Sequence, residues 1–302
     1  MSTAILDTFR EFHVTHSDPT MEDTILHTLN TKKLSIMERK YHQCALRALA
    51  VLRKSRAERV VITIGGIPGS GKSTLSKRVS EILNDAYKTA HHQHHHHHHH
   101  HHNFYSHKNH SASSIDSDDT LVENDVAFSA VVTMDGYHYT RAQLDQFPDP
   151  VEAHKRRGAP FTFDAEGVLS MAKTLHESTD SHIHNTLYFP SFDHEVKDPV
   201  ENGLAVYPET KIVFLEGLYT LLSIAPWSQI SELYSDDTWR IDLSLDYART
   251  RLAARHLQAG LVDTLQAGLE KVDVNDGLNC KFIIDNSISN SGLTIESVNE
   301  KN

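Results

Sequence analysis

One short stretch of the sequence limits the possible folds more than any other. Residues 60–79 read VVITIGGIPGSGKSTLSKRV, where an apolar, largely β-branched run is followed by closely spaced glycines, a lysine and two hydroxyl residues. The apolar run is typical of a strand buried on both faces of a parallel sheet, and residues 72–86 have the apolar spacing of a helix. Glycines allow the connecting backbone to point several N–H groups into one hollow. The positive end of the helix faces the same hollow and favours a phosphate there.

Residues 66–73 satisfy the P-loop pattern G-x-x-x-x-G-K-[ST]. An ordinary glycine-rich turn is the alternative, but the position between a buried strand and a helix favours a loop that binds a nucleoside triphosphate. Lys72 would bring positive charge to the β- and γ-phosphates, and the hydroxyl of Ser73 would bind Mg²⁺. The predicted phosphate-binding residues are Gly66, Ile67, Pro68, Gly69, Ser70, Gly71, Lys72, Ser73 and Thr74.

Composition narrows the class of partner. The 302 residues carry a formal net charge of −11, which makes the chain a poor non-specific nucleic-acid binder and favours small-molecule ligands. The two cysteines, Cys44 and Cys280, form no disulfide framework and fit a reducing compartment. The sequence has no uninterrupted apolar run of membrane-spanning length, and its start lacks the features of a secretory signal. We expect a cytoplasmic protein with no membrane association; a homo-oligomer is compatible with the sequence, but nothing in it indicates one.

Strand-like and helix-like segments alternate along the chain, which predicts an α/β fold with a mainly parallel sheet flanked by helices. We expect one domain over residues 37–290, preceded by a segment (1–36) whose structure the sequence does not indicate and followed by a tail (291–302). Further strands are predicted at 127–134, 211–222 and 238–246, and helices at 37–58, 165–177 and 247–259. The last of these helices is expected to end at Gly260, which would cap it. Residues 187–200 are expected to form a loop.

A histidine-rich tract interrupts this pattern at residues 91–119. It cannot bury enough apolar area to offset the entropy of ordering, so we expect a flexible surface insertion. Two alternatives are a transition-metal site, because imidazole suits such metals, and an embedded purification tag. Deleting the tract should leave ATP affinity within a few fold, because a flexible insertion would not contact the fold.

Five motifs follow the P-loop in a fixed order: VVTMDGYHYTRAQLD, KRRGAPFTFD, PSFDHEVKDP, IVFLEGLYTLL and RLAARHLQAGL. This series resembles the family of P-loop kinases that includes uridine kinase, phosphoribulokinase and bacterial-type pantothenate kinase, and is most similar to the pantothenate-kinase-like branch. The resemblance covers about residues 57–290, apart from the histidine tract. It implies a nucleoside-kinase-like P-loop fold with a mobile lid. It also implies transfer of the ATP γ-phosphoryl group, with Mg²⁺, to a hydroxyl of a small metabolite.

By this resemblance, Asp135 is the catalytic base or orienter beside the acceptor hydroxyl, and Glu216 holds Mg²⁺ together with Ser73. A carboxylate near the nucleophile can accept its proton in phosphoryl transfer. The alternative for Asp135 is a turn-forming role, since it precedes a glycine. The alternative for Glu216 is that of a buried acid paired with an arginine.

The resemblance also implies that Lys72, Arg251 and Arg255 stabilise the charge of the transferring phosphoryl group. The two arginines lie four residues apart on one predicted helix face, although a plain exposed basic helix is the alternative. In contrast to uridine kinases, which have Arg, Arg and Asp there, this chain has Ala254, Gln258 and Ala259. This departure weakens a uridine-kinase assignment.

The remaining motifs are expected to form the acceptor pocket, with Tyr137, His138, Arg156, Arg157, Asp193 and His194 as the predicted substrate-binding residues. The basic triplet at 155–157 favours an anionic group on the acceptor, and the alternative is a solvated basic loop. For His138 the alternative is a structural histidine, and for the segment with Asp193 and His194 it is a proline-bent connection. Asp164 is a candidate helix cap. Asn275, Asp276 and Asn279 are weaker candidates for the adenine site.

Two other functions stay open on the sequence. One is a nucleotide-binding regulatory protein without transfer activity, which the histidine tract and the sparse lid arginines favour. The other is a nucleotide hydrolase. A GTPase is disfavoured because the base-reading N-K-x-D motif is absent from the sequence. Pantothenate, a nucleoside, glycerate and a sugar phosphate all remain candidate acceptors.

Overall fold

The computed structural model describes residues 20–98, 127–178 and 185–298. Its strands are β1 (Val60–Gly66), β2 (Ser129–Thr133), β3 (Leu187–Asp193), β4 (Asp198–Val206), β5 (Ile212–Gly217), β6 (Asp237–Asp242) and β7 (Leu293–Glu296). Five of them form one sheet in the order β2–β5–β1–β6–β7, and every neighbouring pair is parallel. The predicted α/β fold with a parallel sheet is confirmed.

Helices cover both faces of this sheet. They are α1 (Met21–Thr31), α2 (Ile36–Lys54), α3 (Lys72–His98), α4 (Arg141–Leu144), α5 (Pro150–Lys155), α6 (Ala165–Glu177), α7 (Ser228–Leu233), α8 (Leu245–Gln258), α9 (Leu265–Val274) and α10 (Asp276–Asn286). One apolar core joins the sheet to α1, α2 and α3, and a second joins the opposite face to α6, α8 and α10. Burial on both faces explains the continuous apolar run of β1.

The side chains of β1 divide between the two cores. Val60, Ile62 and Ile64 pack in the core that contains α3, whereas Val61 packs in the opposite core. All seven residues of the strand are buried. The strand that leads into the P-loop is therefore fixed from both sides.

The N-terminal segment has more structure than the sequence indicated. Thr20 caps α1 by accepting a hydrogen bond from the backbone of Asp23, whose side chain bonds back to Thr20. This reciprocal cap is a recognisable start signal for a helix. Ile25 of α1 is buried in the core with α2 and α3, so residues 20–35 belong to the folded domain.

The predicted loop at residues 187–200 is wrong, because β3 and β4 form an antiparallel hairpin there. The register shifts between Phe189 and Ser191, at Pro190. A proline has no N–H to contribute to a ladder and is tolerated at such irregular positions. The hairpin is half exposed, so it lacks the apolar run that revealed the buried strands.

The structure differs from the predicted boundaries in two other segments. Residues 293–296 of the expected C-terminal tail form β7, which pairs with β6. Helix α3 continues to His98, so the histidine tract begins inside a helix, and the flexibility of the insertion stays a prediction. His91 accounts for the start of this extension, since its ring packs on Tyr87 with centroids 3.9 Å apart. Residues 99–119 of the tract lie outside the described residues.

The predicted cap of α8 is confirmed. Gly260 has a φ angle of 65°, and the next residue returns a hydrogen bond to the carbonyl of His256. Within residues 20–98, 127–178 and 185–298, no helix combines the length and apolarity needed to cross a bilayer.

Candidate active site

The loop between β1 and α3 has the backbone conformation that the glycine motif predicts. Gly69 and Gly71 have φ angles of 77° and 96°, a region that residues with a side chain rarely adopt. Leu75 donates to the carbonyl of Gly71 at 2.9 Å as α3 begins. The first N–H groups of a helix have no intrahelical partner, so this end can bind an anion.

A buried hydroxyl in the same loop lacks a partner. Among the described residues, the Oγ atom of Ser70 is buried and forms no hydrogen bond. An unsatisfied buried polar group is unfavourable unless a ligand or water supplies its bond. The loop therefore offers a hydroxyl as well as backbone N–H groups to a bound phosphate.

Lys72 places its ammonium group at the inner side of the loop. Its Nζ donates to the carbonyls of Gly66 and Ile67 at 2.9 and 3.1 Å, and the side chain is buried. Burial lowers the pKa of Lys72, and the negative charges of Glu216 and Asp135 oppose that shift. A positive charge in such a dry setting interacts strongly with a phosphate.

The two residues predicted to bind the metal are in direct contact. Ser73 Oγ donates to Glu216 Oε1 at 2.8 Å, and Glu216 is 6% exposed near the end of β5. Burial raises the pKa of Glu216, whereas Lys72 and the bond from Ser73 lower it. A hydroxyl and a carboxylate are the hard oxygen donors that Mg²⁺ prefers, so this pair fits the ion.

Asp135 lies at the same edge of the sheet. Thr133, the last residue of β2, is the register partner of Glu216 on β5, and Asp135 follows in a short 3₁₀ turn, Met134–Tyr137. Among the described residues, no hydrogen bond reaches its carboxylate, and its charge acts on both Lys72 and Glu216. The structure thus brings two carboxylates and the P-loop lysine together, as the motif order predicted.

Gly136 allows the β3–β4 hairpin to lie against this turn. A Cβ atom at position 136 would be 2.0 Å from the carbonyl oxygen of Pro190. The glycine after Asp135 is therefore required for a close backbone approach, in addition to forming a turn.

An aromatic wall follows the turn. The ring of His138 lies 3.9 Å from Phe163 and 4.8 Å from Phe192, measured between centroids. Its Nδ1 bonds to the carbonyl of Asp135 at 2.8 Å, and burial lowers the pKa of this histidine despite that bond. Tyr137 packs with the core beside α6, and burial raises the pKa of its hydroxyl to about 12.

The basic triplet splits into three different environments. Lys155 is exposed and lies 3.5 Å from Glu152. Arg157 pairs with Asp198 at 2.6 Å and donates to the carbonyl of Tyr139. These contacts attach the hairpin to the basic loop. The guanidinium also lies 5.7 Å from the Phe192 ring of the aromatic wall, and substrate binding by Arg157 stays a prediction.

Arg156 has only neutral partners. Its Nε donates to Asn275 at 3.0 Å and its Nη2 to Asn279 at 3.2 Å, and both amides also donate to carbonyls of the basic loop. The two asparagines, weak adenine candidates from the sequence, instead hold this loop. Asp276, the third such candidate, pairs with His256 at 3.2 Å. In the sequence, the spacing of four residues between Asn275 and Asn279 is the signal that these two side chains act together.

The two hairpin candidates differ in role. Asp193 accepts the backbone N–H groups of Glu195 and Val196 at 2.7 and 3.0 Å, which lower the pKa of its exposed carboxyl. These bonds give the Asp193 side chain a role in the hairpin turn, and its contact with substrate stays a prediction. The ring of His194 lies 5.4 Å from Phe192, at the outer end of the aromatic wall.

The predicted lid arginines point to different places. Arg255 is exposed, and among the described residues its side chain forms no hydrogen bond or ion pair; its charge acts on Lys72. Arg251 donates instead to the carbonyls of Gly69 and Val298 and to the hydroxyl of Ser297. A catalytic role for Arg255 fits this geometry better than one for Arg251, and the motion of a lid stays a prediction.

A cavity of about 190 Å³ adjoins the P-loop on the side of Arg251. It is lined by Met37, Tyr41, Ser70, Gly71, Thr74, Leu75, Ile241, Arg251, Ser297 and Val298. The meeting of α2 with the segment after β7 at this cavity could not be predicted from local patterns, since their residues lie far apart in the chain. Asp164, a candidate helix cap, does cap α6 by accepting from Gly167 at 3.0 Å.

Comparisons with known proteins find P-loop kinases among the similar chains. A family model described as "Chromatin associated protein KTI12" matches residues 60–144, which include the P-loop and Asp135. The Schizosaccharomyces pombe protein named "Putative uridine kinase C227.14" is 31% identical over 249 residues, covering 82% of this chain and 87% of that protein.

The ATP-dependent kinase YFH7 of Vanderwaltozyma polyspora is 36% identical over 190 residues, and the match covers 53% of each chain. The chain therefore spans about half the length of this relative. The crystal structure of YFH7 from Saccharomyces cerevisiae superposes with a TM-score of 0.70 at 27% identity, covering 86% of this chain and 99% of that one.

Proposed function

The chain belongs to the P-loop kinase family that includes uridine kinase, phosphoribulokinase and pantothenate kinase, and we propose that it transfers the γ-phosphoryl group of ATP to a hydroxyl of a small metabolite. The relatives named as an ATP-dependent kinase and a uridine kinase support the reaction type. Ala254, Gln258 and Ala259 stand where uridine kinases carry Arg, Arg and Asp, which argues against uridine as the acceptor.

The P-loop binds the triphosphate in this proposal. Its backbone N–H groups and the unpartnered hydroxyl of Ser70 contact the phosphate oxygens, and Lys72 neutralises the β- and γ-phosphates. The adjoining cavity beside Thr74, which Arg251 also lines, takes the adenosine part.

Ser73 and Glu216 would hold Mg²⁺, which supplies charge neutralisation at the β- and γ-phosphate oxygens when bound. Asp135 receives the proton of the acceptor hydroxyl, and Arg255 approaches the transferring group from α8. Phe163, His138 and Phe192 shield the acceptor from water, so that transfer is favoured over hydrolysis.

The observation that carries the proposal is the convergence at the sheet edge. Ser73 is bonded to Glu216, and Asp135 lies two residues beyond the strand position paired with Glu216. A simple nucleotide-binding loop needs no second carboxylate at this place, whereas a phosphotransferase needs a group that accepts the acceptor's proton.

The test is a screen of a metabolite extract with ATP and Mg²⁺, followed by phosphorus NMR and mass spectrometry. We expect one new phosphate ester with the native chain and a large loss with Asp135→Asn, which keeps the size of the side chain. ATP that binds without turnover on any acceptor would support the regulatory alternative. Rapid ATP loss without acceptor, unchanged by Asp135→Asn, would support a hydrolase.

A further inference from the structure

The basic loop contains one cation that the fold orients but does not neutralise. Lys155 is exposed beside Glu152, and Arg157 is paired with Asp198. Among the described residues, Arg156 forms no ion pair, and its hydrogen bonds go to the neutral amides of Asn275 and Asn279. A guanidinium with neutral partners keeps its full affinity for an anion.

The two amides also fix the direction of this guanidinium. They use one N–H on Nε and one on Nη2, whereas a guanidinium has five N–H donors. The donors on Nη1 are left for a ligand. Because the side chain is already ordered, binding an anion loses less conformational entropy than it would at a free surface arginine.

The loop that carries Arg156 is joined to the turn that carries Asp135. Tyr139 donates to the carbonyl of Thr162 at 3.0 Å, and Asp164 donates to the carbonyl of Tyr137 at 2.8 Å. On the other side, the hydroxyl of Tyr219, three residues after Glu216, donates to the carbonyl of Gly158. The loop that carries Arg156 is thus bonded both to the acceptor side and to the segment that follows β5.

We propose that the acceptor is a small alcohol that carries a carboxylate or a phosphate, and that Arg156 binds this anionic group. The inference rests on the proposed kinase function and adds the class of acceptor. The anion sits on Nη1 of Arg156 while the hydroxyl of the same molecule faces Asp135. Neutral sugars and nucleosides lack the group that this arginine requires and are poor acceptors.

Matched pairs of compounds test the class. Glycerate is compared with glyceramide, pantothenate with its amide, and glycerol 3-phosphate with glycerol, and every product from a metabolite extract is identified by mass spectrometry. A phosphorylated product that carries an acidic group in addition to its new phosphate supports the inference. Comparing the two carboxylate pairs with the glycerol 3-phosphate pair shows which kind of acidic group the site binds. Turnover of a neutral acceptor at equal kcat/KM overturns it while leaving the kinase function intact, and no transfer to any acceptor overturns both.

Variants of the triplet test the residue. Arg156→Met should raise the KM for the anionic acceptor by about 10- to 100-fold, because a charged hydrogen-bonded contact is lost. Arg156→Lys should recover part of this loss, and the KM for ATP should stay within a few fold in both. Lys155→Met, which removes an exposed cation from the same loop, is the matched control and should change the acceptor KM less than about twofold.

Two outcomes contradict the role of Arg156. An unchanged acceptor KM in Arg156→Met would place the anion elsewhere. A lower kcat for every acceptor, with unchanged acceptor KM, would show that Arg156 acts on the transferring phosphoryl group. Thermal unfolding of each variant identifies a folding defect. If Arg156→Met does not fold, the acceptor KM of Arg156→Lys, which keeps the charge and donors for Asn275, tests the role of Arg156 instead.

Discussion

A single methyl group at Gly136 should damage both stability and turnover. In Gly136→Ala the new Cβ would lie 2.0 Å from the carbonyl oxygen of Pro190 and 2.5 Å from its carbonyl carbon, whereas ordinary contact begins at 3.4 Å. Both atoms belong to the backbone of β3, so no side-chain rotation can relieve the overlap. The hairpin or the Asp135 turn must move.

The size of the effect follows from this geometry. Overpacking a well-filled interior typically destabilises by about 1–3 kcal/mol, and a clash with backbone belongs at the upper end. For a domain of this size, about 3 kcal/mol lowers Tm by roughly 6–12 °C. A displacement of Asp135 by about 1 Å can further reduce kcat by about 100-fold.

The assay is thermal unfolding with and without ATP, paired with steady-state transfer measurements. Gly277→Ala is the matched control, because its new Cβ would have the Val272 carbonyl oxygen at 3.3 Å as its nearest neighbour. This contact is only slightly tighter than an ordinary one. Alanine favours a helix over glycine by about 1 kcal/mol, which opposes that small cost, so this variant should keep a near-native Tm. A native Tm and native kcat in Gly136→Ala would refute the close-approach argument.

Three further predictions concern other parts of the structure. Because burial raises the pKa of Glu216, its carboxylate takes up a proton at a higher pH than an ordinary glutamate. Binding of Mg²⁺ and ATP needs the ionised form and should therefore weaken on the acid side at a higher pH than an ordinary carboxylate would give, as measured by calorimetry. Affinity that stays constant down to the usual carboxylate range would contradict this. Arg157→Leu leaves Asp198 without its partner and should destabilise the protein by about 1–3 kcal/mol in denaturant titrations, whereas an unchanged midpoint would show that the pair is dispensable. Thr20→Ala removes the α1 cap and should cost about 1 kcal/mol, measured as a lower Tm; a native value would mean that α1 contributes little.

The sequence predicted the central sheet and the P-loop because both depend on local patterns. β1 and β5 are buried on both faces, so their apolar runs stand out, and the glycine spacing is tied to the backbone angles of a short loop. The placement of Asp135 and Glu216 at one edge of the sheet could be predicted through motif order, since Glu216 lies near the end of β5 and Asp135 follows β2, its parallel neighbour.

The remaining features depend on partners that are distant in the sequence. Nothing local distinguishes Arg156 from Arg157, and the difference comes from Asp198 on one side and Asn275 and Asn279 on the other. The hairpin has no clear local signal because its strands are half exposed and interrupted by a proline. Helix α1 does have such a signal, since Thr20 and Asp23 form its cap.

The order of strands in the sheet has a consequence for synthesis of the chain. β1 pairs on one side with residues 212–217 and on the other with residues 237–242. While a ribosome is making the middle of the protein, the P-loop strand has emerged but neither neighbour exists, so an apolar, unpaired edge is exposed to other nascent chains. ATP cannot stabilise this intermediate, because Glu216 and the strands that shape the loop have not yet been made. Chaperone dependence during translation should therefore be greatest before residue 242 leaves the ribosome.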